Sequence, residues 1–276
     1  MTGKNATGNF KKNHQRPLAA LRRVRALLAS LTPPPESETP DLANKIDRAA
    51  VQARLLADRL EGGPEAPLFV PILGGTGAGK SKLFNSLAGR PVSPSGFRRP
   101  TTMAPVMLAP ERHLPFISRP DFFPDYLFRE AVPGQAIVFQ PEGPPEIILI
   151  SAPTDDGRPL VLADAPDFDS VLAENRQAAA DLFARSDAVI IATDAVKYAD
   201  QAIWEYLYRT GKAEKPALLV INRVKDPLSA EDFQKRLDRV YLKRPLLIIP
   251  DQTSLGDGDL FPPDLQPDEI LARVAH

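Results

Sequence analysis

The chain contains no cysteine, which excludes disulfide bonds, thiol nucleophiles and cysteine-based zinc sites. It also lacks an excess of either charge, because 34 lysines and arginines stand against 35 aspartates and glutamates, for a net charge of −1. Without a global field of one sign, the composition does not favour nucleic acid as a partner, and we expect none. A charge-balanced chain without cysteine is typical of a cytoplasmic protein, which is the localisation we predict.

Long apolar runs are absent as well: none approaches the roughly 18 residues of a membrane-spanning helix, and the N-terminus lacks a signal-peptide core. Residues 1–35 have no acidic residue but seven basic ones, Lys4, Lys11, Lys12, Arg16, Arg22, Arg23 and Arg25. Leucine and valine recur at helical spacing from Leu18 to Leu31, and arginines lie on the other face. Such a helix suits a membrane surface, as in a peripheral membrane protein, or a helical partner; packing on its own neighbours is the alternative.

A second helix is predicted from Thr39, as N-cap, to Gly62, because Pro40 follows the cap and an apolar stripe then recurs every three or four residues. The stripes of the two helices can pack on each other as a hairpin, or on helices of another chain. The sequence therefore predicts two domains: a basic tail with a two-helix module over residues 1–65, and a larger domain over residues 66–276.

The larger domain alternates apolar runs with helical segments, which predicts an α/β fold with a mainly parallel, doubly wound sheet covered on both faces. Strands are predicted at 68–73, 103–109, 146–151, 160–163, 187–192, 217–221 and 246–249, those at 146–151 and 160–163 being adjacent. Helices are predicted at 81–87, 172–184, 200–209 and 231–241, with a short one at 268–274. The proline-rich segment 110–145 is interpreted as an insertion.

The segment between the first predicted strand and helix of this domain reads GGTGAGKS and fits the phosphate-loop pattern G-x-x-x-x-G-K-[ST]. In that context the N–H groups of the loop and of the helix N-terminus converge on an anion. Lys80 would reach the outer phosphates, and Ser81 would place its hydroxyl on Mg²⁺. The residues predicted to bind the nucleotide here are Gly74, Gly75, Thr76, Gly77, Ala78, Gly79, Lys80, Ser81 and Lys82. A glycine-rich surface turn is the alternative.

Further candidates follow the other apolar runs, because ligands of such sheets bind at the carboxyl ends of the strands. Asp164 comes directly after a hydrophobic strand, which is the position that holds Mg²⁺ in phosphate-loop NTPases. A hydroxyl of Thr101 or Thr102 could complete the metal shell from a mobile loop when a γ-phosphate is present. A helix or turn cap is the alternative role for Asp164, and an ordinary polar loop is the alternative for the threonines.

A last group of polar residues follows the predicted strand at 217–221. Asn222, Arg223 and Asp226 offer a side-chain amide, a stacking cation and a carboxylate, which together could hold a nucleobase. Taken alone, this group carries less information than the phosphate loop or Asp164.

In this order and spacing, the segments resemble the GTPases of the Ras-like and Era-like superclass, most closely its dynamin-like and interferon-inducible-like branches. Their motifs are the phosphate loop, a threonine in the first switch, D-x-P-G in the second, and [NT]-K-x-D for guanine. The resemblance covers residues 68–249. It implies that Gly79, Lys80 and Ser81 hold phosphates and Mg²⁺. It also implies that Thr102, or else Thr101, senses the γ-phosphate, and that Asp164 holds the metal through water. Dynamin-like proteins often have a helical bundle beside the nucleotide domain, which the N-terminal helices would match.

Two positions differ from the motifs of that group. Asp167 stands where the second switch has a glycine whose N–H meets the γ-phosphate, and Asp226 comes one residue later than the guanine-binding acid. Asp167 would face inward and favour GDP over GTP, or face outward without effect, or face the metal or attacking water and take part in hydrolysis. Phe168 replaces the water-orienting glutamine, so Arg98 or Arg99 from a homodimer partner across the nucleotide face is a candidate helper; a solvated arginine pair is the alternative.

The sequence therefore predicts a Mg²⁺-dependent, GTP- and GDP-binding protein of dynamin-like type that hydrolyses GTP slowly or with the help of a partner. A nucleotide-binding scaffold without hydrolysis is the first alternative. A phosphate-loop ATPase or small-molecule kinase is the second, although no arginine-rich lid and no LSGGQ-like segment occurs in the sequence.

Overall fold

The structure is a computed structural model, and it describes residues 15–30, 40–62, 66–94, 104–119, 122–132, 137, 139, 143–152, 159–240, 242, 244–251 and 260–261. The predictions for Arg98, Arg99, Thr101, Thr102 and the helix at 268–274 lie outside these residues. The described residues divide into two compact units. The first comprises those up to Pro67 together with Pro159, and the second comprises the others.

The first unit contains two helices, α1 (Gln15–Ser30) and α2 (Pro40–Gly62), which contact each other. Arg22 on α1 donates from Nε and Nη2 to Oε1 of Glu61 at the end of α2, at 3.1 and 2.5 Å. This pairing of the first half of one helix with the last turn of the other is what an antiparallel hairpin requires. The pair is exposed and adds little to the stability of the hairpin. No helix among the described residues is long and apolar enough to cross a membrane.

The second unit is an α/β domain whose strands and helices largely follow the predicted pattern. Its strands are β1 (Leu68–Gly74), β2 (Val106–Ala109), β3 (Leu127–Glu130), β4 (Glu146–Ser151), β5 (Leu160–Asp164), β6 (Val189–Asp194), β7 (Ala217–Val224) and β8 (Leu246–Pro250). Its helices are α3 (Lys80–Ala88), α4 (Leu114–Ile117), α5 (Ala173–Arg185), α6 (Gln201–Lys212) and α7 (Pro227–Arg239). The last of these begins four residues earlier than predicted, because Asp226 caps it and Pro227 occupies its first turn.

The eight strands form one sheet in the order β3-β4-β2-β5-β1-β6-β7-β8. Every pairing is parallel except that of β2 with β5, so two parallel blocks meet at one antiparallel pair. The predicted mainly parallel α/β sheet is confirmed. The prediction that β4 and β5 are adjacent is wrong, because β2 pairs with both and lies between them. Neighbours along the chain need not be neighbours in a sheet, and here the strand between β4 and β5 comes from earlier in the chain.

Both faces of the central strands are buried, as the continuous apolar runs predict. Alternate residues of β1 belong to two layers: Val70 and Ile72 pack in a cluster with Leu83 and Phe84 of α3, whereas Phe69 and Leu73 face the other side. The packing of Val70 and Ile72 against Leu83 and Phe84 therefore holds α3 on the sheet, next to the loop that joins β1 to α3.

The proline-rich segment predicted as an insertion adds both β3 and an aromatic cluster to the domain. Phe122 and Phe123 contact each other edge to face at 4.9 Å between ring centroids, and both contact Phe69 of β1 at about 6 Å. The guanidinium of Arg185 lies over the Phe123 ring at 4.9 Å and donates from Nε to the Phe122 carbonyl at 2.6 Å. The insertion therefore contributes to the core of the domain.

A buried lysine closes the end of α5. Lys215 is 6% exposed, and its Nζ donates to the carbonyls of Phe183 and Ser186 at 2.8 and 2.5 Å and to the Ser186 hydroxyl at 3.1 Å. Burial lowers the pKa of Lys215 to about 8; the Asp187 carboxylate opposes the shift and Arg209 adds to it. The ammonium therefore loses its proton in the folded protein well before it does so in the unfolded chain.

We expect this lysine to make the protein more stable as the pH rises from about 8 to about 10.4, the pKa of a lysine in an unfolded chain. In this range the unfolded chain binds one more proton than the folded protein, so the free energy of unfolding increases with pH. The wild type should gain about 2–3 kcal/mol relative to Lys215→Met across this range. Urea unfolding of both proteins at a series of pH values measures the difference. A difference independent of pH would contradict the assignment.

Candidate functional site

Four strands of the same parallel block, β1, β5, β6 and β7, end at one edge of the sheet. The phosphate loop follows β1 there, Asp164 and Asp194 end β5 and β6, and Asn222 lies near the end of β7. Because parallel strands deliver their carboxyl ends to the same place, the described candidates Lys80, Asp164 and Asn222 lie at this one edge.

The phosphate loop passes directly from β1 into α3, as the motif predicts. Gly79 is the N-cap of α3 with φ 90°, a left-handed conformation that favours glycine, and a Cβ atom there would overlap Nδ2 of Asn222. At the start of the loop, a Cβ atom on Gly74 would overlap the backbone oxygen of Ala192 on β6. The motif glycines are thus needed at Gly74 for close packing against β6 and at Gly79 for both backbone conformation and contact with Asn222.

Lys80 is the first residue of α3, and its side chain lies along the phosphate loop. Its Nζ donates to the backbone oxygen of Gly75 at 3.3 Å and forms an ion pair with the carboxylate of Asp167. The side chain of Lys80 is 5% exposed and that of Asp167 is 21% exposed. The ammonium is thus fixed where the loop would receive phosphates, and its counterion in this structure is a carboxylate of the chain itself.

Asp164 ends β5 and is fully buried. Burial raises the pKa of its carboxyl group, and the Lys80 ammonium and hydrogen bonds from Ser93 and Ser81 act in the opposite direction. The hydroxyl of Ser81 and the carboxylate of Asp164 therefore lie close together beside Lys80. Hard oxygen ligands of this kind suit Mg²⁺, which binds through one or two carboxylates and substrate phosphates. The two residues fit the predicted metal, and a divalent cation there would favour the ionised carboxylate.

No cluster of three or more histidine, cysteine, aspartate or glutamate side chains among the described residues could hold a metal without further ligands.

Two further carboxylates follow β5 and bind the phosphate loop. In addition to Asp167, Asp169 accepts hydrogen bonds from the backbone N–H and hydroxyl of Thr76 at 2.7 and 2.8 Å. Burial alone would raise the pKa of Asp169, but the hydrogen bonds from Thr76 and the charges of Lys197 and Lys80 outweigh it, and its pKa lies below the usual value. The loop after β5 therefore places two anionic groups on donors that a phosphate would use.

Lys197 is a loop contact that the motifs do not reveal. Its Nζ donates to the backbone oxygen of Thr76 at 3.0 Å and lies 3.6 Å from Oδ2 of Asp169. Asp194 fixes the turn that carries it, because its Oδ1 accepts from the backbone N–H groups of Val196 and Lys197 at 2.9 and 2.8 Å. The sequence does place Asp194 at the end of an apolar run, where site residues are expected. No motif, however, distinguishes Asp194 from an aspartate that only stabilises a turn.

The polar residues at and just after the end of β7 have different roles from one another. Asn222 is 5% exposed and donates from Nδ2 to the backbone oxygen of Ala78 at 3.2 Å, so it braces the phosphate loop. Arg223 has φ 57° and its Nη1 lies 3.9 Å from Oδ2 of Asp194. Asp226 accepts from the backbone N–H of Leu228 at 3.0 Å and is the N-cap of α7. The structure therefore places Asn222 against the phosphate loop. Asp226 caps α7, a structural role that was not predicted for it.

Lys82, the last residue of the predicted phosphate-loop set, lies on α3 with its Nζ 5.2 Å from the ring centroid of Phe261. The backbone N–H of Phe261 donates to the hydroxyl of Ser86 on the same helix at 2.7 Å. A residue near the end of the chain thus packs on the phosphate-loop helix, a contact that the sequence alone does not indicate.

No family model matches this chain, and no curated protein matches it. Solved structures similar to it include an oligomerised bacterial dynamin pair for long-range sensing and tethering of membranes, with a TM-score of 0.43 and 15% identity over 88% of this chain. Era in complex with MgGDPNP and nucleotides 1506–1542 of 16S ribosomal RNA has a TM-score of 0.43 and 17% identity over 72% of this chain. A mutation variant of SsGBP has a TM-score of 0.36 and 17% identity over 84% of this chain.

The chain spans 43% of the dynamin chain, 61% of the Era chain and 70% of the SsGBP chain. At such identities the similarity concerns the fold alone.

Proposed function

We propose that the second unit binds a guanine nucleotide with Mg²⁺ and hydrolyses GTP slowly or with the help of a partner, in the manner of dynamin-like GTPases. The observation that carries this proposal is the convergence of Lys80, Ser81 and Asp164 at the N-terminus of α3. The ammonium and the loop N–H groups would hold the phosphates. Ser81 and Asp164 would hold the metal, which supplies charge neutralisation between the phosphates.

Two features decide between this function and its alternatives. The resemblance of Asn222 and Asp226 to the guanine-binding motif supports guanine over adenine, although Asp226 comes one residue later than the acid of that motif and caps α7. Hydrolysis needs a group that orients water, and Phe168 cannot do so because it is buried and stacked on Tyr206 at 4.5 Å between ring centroids. Thr102, Asp167 and an arginine from a second copy are the candidates to assist; without such help the protein would be a nucleotide-binding scaffold.

Calorimetric titration with GTP, GDP and ATP, each with and without Mg²⁺, tests the proposal, followed by phosphate-release measurements. We expect binding of GTP and GDP that strengthens with Mg²⁺, weaker binding of ATP, and slow release of phosphate. Absence of binding by all three nucleotides would overturn the proposal. Equal affinity for ATP and GTP would favour the ATPase or kinase alternative, and tight GTP binding without phosphate release would favour the scaffold.

The two possible roles of Asp226 can be separated by a pair of variants. Asp226→Ala should lower the free energy of unfolding by about 1 kcal/mol, because α7 loses its N-cap, whereas Asp226→Asn should retain the cap. If the carboxylate also accepts from the guanine edge, both variants should narrow the preference for GTP over ATP by about tenfold or more. Thermal unfolding and competitive nucleotide titration measure the two effects. If Asp226→Asn kept the wild-type preference for GTP over ATP, the carboxylate would only cap the helix.

The first unit is proposed to contact a membrane surface or a helical partner through the basic helix α1. Exposed Arg22 and Arg23 on α1 support this, together with the exposed apolar side chains of Val24 and Leu27. Co-sedimentation of the full chain with vesicles of phosphatidylserine and phosphatidylcholine tests the membrane contact. If the protein did not sediment with vesicles of any phosphatidylserine content, the proposed membrane contact would be wrong.

A further inference from the structure

The segment that follows α3 is held in place by a single side chain of the phosphate-loop helix. Asn85 is fully buried, and its Nδ2 donates to the backbone oxygen of Ser93 at 2.9 Å. Its Oδ1 accepts from the backbone N–H groups of Val92 and Ser93, both at 2.8 Å. Three hydrogen bonds from one amide fix the backbone of Ser93 relative to α3, because both the donor and the acceptor of the side chain are engaged.

Ser93 in turn binds the residue that would hold the metal. Its side chain is buried, and its Oγ donates to Oδ2 of Asp164 at 2.6 Å, within the usual range for a hydroxyl–carboxylate hydrogen bond. The bond spans 71 positions in the sequence and joins the segment after α3 to the end of β5. With the backbone of Ser93 fixed by Asn85, only rotation about the side-chain torsion of Ser93 remains, and the hydrogen bond to Asp164 selects the rotamer that joins the two groups.

We infer that Ser93 is a positioning residue for the Mg²⁺ site, acting through Asp164, with Asn85 as its support. The inference rests on the proposed function. A buried carboxylate without such a donor would turn toward another partner, whereas the Ser93 hydroxyl fixes the rotation of the Asp164 carboxylate that would face the metal. Removing groups of this kind around metal ligands typically lowers metal affinity by about 10- to 100-fold.

The test compares Ser93→Ala with Ser93→Thr, which retains a hydroxyl, and with Ser229→Ala, a hydroxyl deletion on α7. GDP affinity is measured calorimetrically for each full-length protein over a range of Mg²⁺ concentrations and in EDTA, with circular dichroism and thermal unfolding as checks of the fold. In Ser93→Ala we expect the Mg²⁺ concentration for half-maximal enhancement of GDP binding to rise about tenfold or more. GDP affinity in EDTA should stay within about twofold. Ser93→Thr should recover most of the Mg²⁺ dependence, and Ser229→Ala should match the wild type.

Two outcomes would overturn the inference while leaving the proposed function intact. One is an unchanged Mg²⁺ dependence in a folded Ser93→Ala protein. The other is an equal loss of GDP affinity with and without Mg²⁺, which would indicate a purely structural role. If Ser93→Ala does not fold, Ser93→Cys, which keeps the volume but donates weakly, is measured in its place. A wild type whose nucleotide binding does not respond to Mg²⁺ would instead contradict the proposed metal site itself.

Discussion

Replacing Lys80 by alanine is expected to lower the affinity for Mg²⁺·GTP by about 100-fold while the fold stays intact. A charge-assisted hydrogen bond to an ionised group contributes about 1.5–3 kcal/mol, and its removal leaves phosphate oxygens without their strongest partner. The fold should tolerate the change because the other member of the ion pair, Asp167, is partly exposed and can be hydrated. Calorimetric titration with a non-hydrolysable GTP analogue measures the effect, and circular dichroism confirms the fold.

Lys235→Ala provides a matched control for this experiment. Lys235 is a well-exposed lysine on α7, and among the described residues it forms an ion pair only with Glu231, one helical turn away. Its removal changes the net charge equally but should leave nucleotide affinity within about twofold. If a folded Lys80→Ala protein bound the analogue as tightly as the wild type, Lys80 would have no role in phosphate binding and the proposed function would fail.

Replacing Asp167 by asparagine is expected to shift the preference between GDP and GTP toward GTP by about tenfold. The structure places the Asp167 carboxylate on the Lys80 ammonium, so a γ-phosphate has to approach a like charge and compete for the same cation. Two unit charges 5 Å apart repel by about 3 kcal/mol at an effective dielectric near 20, and solvent around this partly exposed group reduces that to about 1–2 kcal/mol. A difference of 1.4 kcal/mol is tenfold in affinity.

The quantity to measure is the ratio of the dissociation constants for GDP and a non-hydrolysable GTP analogue, because effects common to both nucleotides cancel in it. Asp167→Asn removes the charge at similar volume, and Asp167→Gly also restores the glycine of the second-switch motif. Asp238→Asn on α7 is the control for net charge. An unchanged ratio in both Asp167 variants would show that the carboxylate swings away when nucleotide binds. A ratio that shifts toward GTP together with slower phosphate release would instead assign Asp167 a role in hydrolysis.

Much of the site can be read from the sequence because its parts are local. The phosphate loop needs only eight consecutive residues, and its glycines, lysine and serine are placed by the turn from β1 into α3. Asp164 was predicted from its position directly after an apolar strand, and the structure places it beside Ser81 and Lys80. The α/β class follows from alternating apolar runs and amphipathic segments, whose periods are properties of neighbouring residues.

Contacts between distant segments were not predictable in the same way. The sequence singled out Asp167 for its departure from a motif, but only the structure shows that it pairs with Lys80, 87 residues away. Asp169 and Lys197 carry no motif, yet both bind Thr76 of the loop. The position of β2 between β4 and β5 likewise depends on how the side chains of the strands pack in the folded domain. The backbone hydrogen-bonding groups are the same in every strand and cannot select the partners.

By itself the sequence determined seven of the eight strands, the phosphate loop and the strand ends at which polar residues lie, because periodicity, glycine conformation and helix capping act over a few neighbouring residues. It did not predict β3 and α4, which lie in the segment interpreted as an insertion. The tertiary structure decided which of those polar residues meet. It set Asn222 against Ala78, Ser93 against Asp164 and Asp167 against Lys80. These pairings arise when buried polar groups must find partners across the folded domain, and a chain of 276 residues offers far more candidate partners than local spacing can rank.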